Sequence, residues 1–114
     1  MPTIDGLGGH LPWDVRVNTL WRADFQYEID CLNPDLSGVT IRAKVTDSEL
    51  DTTAARTFTV VVDDAVAAQW HIEIASANAD LAVGTYWWAM EWDLNGDDEP
   101  IVSGPFRVNP WNYT

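Results

Sequence analysis

Asp93-Leu94-Asn95-Gly96-Asp97-Asp98-Glu99 is the sharpest cluster of ligand-type side chains in this 114-residue chain. Asp93, Asn95 and Asp97 stand at alternate positions, as the first three oxygen donors of a calcium loop do. The pattern then breaks. The glycine such a loop needs at its sixth position comes two residues early, as Gly96, and Gly104 stands where a bidentate carboxylate would close the shell. Two readings of the run remain: a solvated hairpin tip, which is preferred, and an adventitious cation site.

The other chemistry-bearing residues are sparse. His10 lies in a Gly/Pro-rich stretch, and His71 lies on the polar side of an alternating run beside Glu73, as a surface histidine would. Two histidines without cysteine partners do not give a zinc spacing. No serine occupies a G-x-S-x-G elbow. Gly6-x-Gly8-Gly9 precedes no helical pattern, so it reads as spacer and not as a phosphate cradle. Paired carboxylates of the glycosidase kind could be drawn from eighteen acids, but few residues are left to wall a cleft. The expectation is a protein that is not an enzyme, with no catalytic residues, no cofactor and no metal.

Charge narrows the partners. Eighteen acids against six bases give a net charge of −12. The bases (Arg16, Arg22, Arg42, Lys44, Arg56, Arg107) are scattered, whereas a nucleic-acid surface clusters them to neutralise phosphates. No nucleic-acid partner is expected, and no membrane: anionic lipid repels such a surface, and no apolar run approaches the ~20 residues of a spanning helix. Cys31 is the single cysteine, which excludes an intramolecular disulfide and reads as a small buried apolar residue. A basic segment followed by an apolar run is missing from the first residues, so folding in a cytoplasm is expected.

Seven tryptophans carry the remaining signal. Trp21, Trp70, Trp88 and Trp92 sit in alternating runs, where a β-sandwich core would place them. Trp13 and Trp111 sit in Pro/Gly/Asn-rich ends that have no core of their own, so each ring must dock on this domain or on a neighbouring chain. Trp87 lies opposite the Tyr86/Trp88/Met90/Trp92 side of its run, where an arm, a partner or a sugar ring would cover it. Leu11, Trp13, Trp87, Trp111 and Tyr113 are therefore the candidate interface residues. The rival reading is a carbohydrate-binding module that stacks sugars on exposed tryptophans.

The elements that must position these residues are strands. Residues 17–22, 24–30, 39–46, 69–75 and 84–93 read as strands, 57–62 is a β-branched run, and Asn95-Gly96 signals a hairpin from which 100–108 returns antiparallel. Asn33-Pro34-Asp35 reads as a turn, residues 47–56 as a polar loop, and Pro105 suggests an edge or a bulge. Residues 76–82 read as a helical turn capped by Ser76 and ended by Gly84. The fold expected is an all-β, Ig-like antiparallel sandwich of about seven strands with one short helical turn and extended terminal arms. Residues 1–16 form an N-terminal arm, 17–109 the sandwich and 110–114 a C-terminal tail. On this reading, removing residues 1–16 leaves the sandwich folded and costs only its attachment.

Several segments also carry a family likeness. They are Leu20-Trp21-Arg22-Ala23-Asp24-Phe25, Asp35-Leu36-Ser37-Gly38, Val39-Thr40-Ile41-Arg42-Ala43-Lys44-Val45, Leu81-x-x-Gly84-x-Tyr86-Trp87-Trp88 and Gly104-Pro105-Phe106-Arg107-Val108. In this order they resemble small β-sandwich domains of tailed-phage virion proteins, of the actinobacteriophage minor tail or tail-fibre-associated type. They also resemble the N-terminal domain of phage baseplate upper proteins. The resemblance spans roughly residues 17–109 and its motifs are short. It implies a structural role without catalytic residues. It also implies a place in the virion, assembled in the host cytoplasm, and contacts with tail, baseplate or capsid subunits as a homo-oligomer or in multiple copies. The chain lacks the second domain of the longer baseplate proteins, so a capsid decoration subunit is the other address.

Overall fold

The computed structural model describes residues 3–5, 9–28, 35–93 and 98–110, and these form two sheets packed face to face. The strands are β1 (Thr3–Asp5), β2 (Gly9–His10), β3 (Trp13–Arg16), β4 (Trp21–Glu28), β5 (Ile41–Thr46), β6 (Ala54–Thr57), β7 (Thr59–Asp64), β8 (Gln69–Ile74), β9 (Gly84–Trp92) and β10 (Glu99–Asn109). One sheet has the order β1-β4-β8-β7; the other has β2-β10-β9-β5-β6, with β3 also on β10. The all-β sandwich expected from the alternation is what forms.

Period 2 explains the core. Trp88, Met90 and Trp92 of β9 point inward with Ile41, Ala43 and Val45 of β5, and they meet Trp21, Phe25 and Tyr27 of β4 and Trp70, Ile72 and Ile74 of β8. The four tryptophans expected in the core are all at most 1% exposed. Each such ring removes roughly 150–250 Å² from water, on the order of 4–6 kcal/mol before ordering costs. Tyr27 packs edge-on against Trp92 at 4.7 Å, and Phe25 stacks on Trp70 at 5.7 Å.

Several boundaries differ from the alternation pattern. Residues 17–22 and 24–30 are not two strands: Val17 to Leu20 turn, with Asn18 at φ 61°, and a single strand β4 follows. The polar loop is shorter than expected, because Ala54–Thr57 pairs with β5 as β6. Phe58 then turns inward, its N–H donating to the Ala43 carbonyl, and the chain passes to the other sheet as β7. The helical turn shrinks to a 3₁₀ turn, Ser76–Asn78, with Ala75 at the cap position and no side-chain cap; Gly84 opens β9 instead of ending the turn. The bulge in β10 falls between Pro100 and Val102, not at Pro105, and it lets both Ile101 and Val102 be buried.

The largest difference lies in residues 1–16. The glycines and prolines there read as an arm without regular structure, yet β1, β2 and β3 form. β1 runs parallel to β4, and β2 and β3 run parallel to β10, so this segment contributes to both sheets. Parallel additions carry no hairpin turn between partners, which is why no turn signal marks them. Pro105 fits this arrangement. The Ser103 carbonyl accepts from the Leu11 N–H, and the Asn109 carbonyl accepts from the Val17 N–H. Backbone groups of alternate residues face the same neighbour, so Pro105 faces the N-terminal segment too. Its missing N–H falls at the gap between β2 and β3, where the ladder is already interrupted.

Candidate functional site

The expected interface residues fall in three places. Leu11 and Trp13 belong to the N-terminal segment and are half-buried against the domain's own core. Trp13 is in register with Phe106 across the parallel pair, so its ring points inward. It stacks on Phe58 at 5.2 Å and meets Trp88 and Phe106 edge-on, each at 5.3 Å. The carbonyl of Leu11 accepts the indole N–H of Trp88 at 2.7 Å. Of the two fates open to Trp13 in the sequence, docking on this domain is the one seen. Trp111 and Tyr113 lie outside the described residues. Trp87 is half-buried on the outer face of the larger sheet.

That outer face is the best-formed surface candidate. Register lines up three rows across the strands: Thr46, Trp87 and Pro105; Lys44, Ala89 and Ser103; Arg42, Glu91 and Pro100. The middle row is short at Ala89 and Ser103, and the flanking rows are tall. The result is a groove of about 550 Å³ running across the strands, walled by Trp87 on one side and by Arg42, Glu91 and Pro100 on the other. Its floor follows from β9 alone: Trp87-Trp88-Ala89-Met90-Glu91 sends Trp88 and Met90 inward and leaves a small residue between a ring and a charge outside. His10 of β2 lies 6.2 Å from the Trp87 ring, tilted by 50°, so the N-terminal segment flanks this tryptophan.

Both cations of the groove are engaged. Arg42 donates to Glu91 at 3.1 Å and to Asp98 at 2.5 Å. These hydrogen bonds, Glu91 first and Asp98 second, hold its guanidinium still more firmly charged than usual. Lys44 donates to the Thr52 carbonyl at 3.2 Å. The arrangement offers one apolar ring face and polar edges. It suits stacking and hydrogen bonding, and it holds no juxtaposed base and nucleophile among the described residues.

The acidic run at 93–99 serves the fold at both described ends. Asp93 accepts the Thr40 N–H at 2.8 Å, and Asp98 pairs with Arg42. The Asn95-Gly96 tip lies outside the described residues, as does Cys31; β9 and β10 are antiparallel on either side of the tip, as the hairpin signal requires. His71 departs from expectation. It is not a surface histidine: it is 8% exposed, and its Nδ1 lies 2.9 Å from both oxygens of Asp63. Sequence alone missed it because strict alternation puts it on the wet face, and the cover comes from neighbouring strands.

No family model and no curated protein matches the sequence. Among the described residues, no helix is long and apolar enough to cross a membrane. Similarity is found among solved structures, at the level of fold. The chain is similar to the N-terminal domain of phage TP901-1 ORF48, with a TM-score of 0.56, 12% identity, and coverage of 96% of this chain and 99% of that one. It is also similar to part of the endo-fucoidan hydrolase MfFcnA4 from glycoside hydrolase family 107, with a TM-score of 0.57 and 14% identity. That match covers 92% of this chain but only 13% of the hydrolase. The fold these comparisons identify is the β-sandwich built above.

Proposed function

We propose that this chain is a non-catalytic structural subunit of a tailed-phage virion, present in multiple copies and docked on neighbouring virion proteins. A tail or baseplate position is the first address and capsid decoration the second. The observation that carries the reading is the end-to-end correspondence in fold with a phage domain, 96% of this chain against 99% of that one. The sequence likeness to virion sandwiches points the same way. Docking falls to the Trp87 face and to the tail residues Trp111 and Tyr113, since Leu11 and Trp13 are engaged within the domain. A net charge of −12 suits protein partners and opposes nucleic acid and anionic lipid. An antibody raised on the recombinant domain should label density-gradient particles from lysates of the source strain, and labelling should survive a high-salt wash. Signal confined to the free-protein fractions overturns the proposal.

The Trp87 groove favours one second reading, a carbohydrate-binding module. A ring beside polar groups is suited to stacking a sugar. The similarity to a sandwich within a glycoside hydrolase supports it, although it covers 13% of that enzyme. A glycan array probed with wild type and with Trp87→Ala separates the two. Glycan binding lost in the variant supports the module; particle labelling without glycan binding supports the structural subunit.

A further inference from the structure

The outer face of the smaller sheet gathers three ligand-type side chains from three adjacent strands. His71 lies mid-strand in β8, Asp24 stands directly across from it in β4, and β7 lies on its other side. β7 bulges between Val62 and Asp64, and Asp63 sits in that bulge, with its carboxylate 2.9 Å from His71 Nδ1. One donor atom from each of Asp24, Asp63 and His71 lies within 4.8 Å of the other two. We propose that these three side chains form a binding site for a borderline divalent cation of the zinc class.

The donor set decides the class. One imidazole with two carboxylates suits zinc and its first-row neighbours; calcium takes six to eight oxygens and magnesium a near-ideal oxygen octahedron. Spacing of at most 4.8 Å lies within side-chain adjustment of a small ion. Donors at zinc bond lengths of about 2.0–2.2 Å stand about 3.3 Å apart around a tetrahedral ion. The His71–Asp63 pair at 2.9 Å must open by about half an ångström to reach that spacing. Asp63 can move, because its side chain is 38% exposed on an edge strand, whereas His71, at 10%, is held in place.

Local charge favours a cation as well. Arg22 pairs with Asp24 at 3.0 Å and stands across from Glu73, so one guanidinium faces Asp24, Asp63 and Glu73. The excess is negative, and a divalent ion would balance it. Arg22 engages one oxygen of Asp24, which fixes the carboxylate as an outer partner of a ligand does. With three protein donors, a tetrahedral ion keeps one position open toward solvent.

The test is calorimetric titration of zinc chloride into chelator-stripped full-length protein at neutral pH, with cobalt absorption as the spectroscopic readout. The expected result is one saturable site with the visible bands of a cobalt ion bound to nitrogen and oxygen. His71→Gln and Asp63→Asn should each weaken it by more than about tenfold, and Asp24→Asn should do the same. His10→Gln and Cys31→Ser should leave it unchanged. If His71→Gln fails to fold, the two aspartate variants decide. No saturable uptake by wild type, or uptake that these three variants leave intact, overturns the site.

Discussion

The β9–β10 hairpin and the N-terminal segment meet at the same strand, β10, and could hardly differ more in how they are specified. β9 and β10 alternate ring and polar residue, lie on either side of a turn dipeptide and pair antiparallel from Gly84/Val108 to Trp92/Glu99. The N-terminal segment has short strands, three glycines and two prolines in its first twelve residues, and a parallel ladder broken between β2 and β3. The hairpin holds itself by local pairing. The segment is held by what it covers: Trp13 lies on Phe58, Trp88 and Phe106, and the Leu11 carbonyl caps an indole N–H. Regularity and contribution to the core are therefore separate properties: an irregular stretch can still cover core aromatics.

Deleting residues 1–16 is the strongest way to break that comparison. The deletion uncovers three core aromatics and leaves the buried Trp88 N–H without its acceptor, which alone costs about 1–3 kcal/mol. Set against a total stability of roughly 5–15 kcal/mol, the loss should abolish cooperative unfolding and the near-ultraviolet dichroism of packed rings. This reverses the expectation that the segment serves attachment alone. A sigmoidal melt near that of the full chain would restore it.

Gly104→Ala is the next largest test and aims at the contact itself. A Cβ on Gly104 would lie 2.4 Å from the Leu11 carbonyl oxygen and 2.7 Å from its carbon, and both are backbone atoms that no rotamer change can clear. The segment must lift off β10, which strains the Leu11–Ser103 and Trp88–Leu11 hydrogen bonds. A loss of about 3 kcal/mol is expected, at the top of the overpacking range. Gly84→Ala, at the start of the hairpin, meets nothing nearer than 3.8 Å and should leave the denaturation midpoint almost unmoved. Equal effects from the two substitutions would mean that the close approach at Gly104 does not hold the segment.

The same contrast explains what the sequence could tell. The hairpin, β8 and the inward side of β5 were legible because each carries its own period and, for the hairpin, its own turn. Trp21, Trp70, Trp88 and Trp92 were placed in the core for that reason. β3 was not legible: Trp-Asp-Val-Arg is too short for a period, and its partner β10 lies about ninety residues away. β6 was hidden by its Ala-Ala-Arg-Thr composition, which has little strand character. Of the surface features, Trp87 could be assigned to the outer face, but the groove needed the register that sets Ala89 beside Lys44 and Ser103. The burial of His71 depended on a bulge in β7 that no local pattern announced.

The smallest effect sharpens the comparison furthest, because it separates ring burial from the tie to the N-terminal segment. Trp88 and Trp92 are two turns of the same alternation in β9, both 0% exposed and both packed among aromatics. They differ in the indole N–H. That of Trp88 reaches the Leu11 carbonyl at 2.7 Å, while that of Trp92 has no hydrogen-bond partner among the described residues. Replacing either by Phe removes a similar volume, so the cavity costs should nearly cancel in the difference. What remains is one buried hydrogen bond, worth about 1 kcal/mol net, and an orphaned carbonyl in one variant but not in the other. Trp88→Phe should therefore melt a few degrees below Trp92→Phe, with the same denaturant slope. Amide exchange gives the local reading. In Trp88→Phe the Leu11 and Val17 amides, which hold the segment to β10, should lose protection before the hairpin amides do. In Trp92→Phe the two sets should retain their order. If the variants melt together and exchange alike, the Trp88–Leu11 bond contributes nothing, and the segment is held by the Trp13 ring and its backbone ladder to β10.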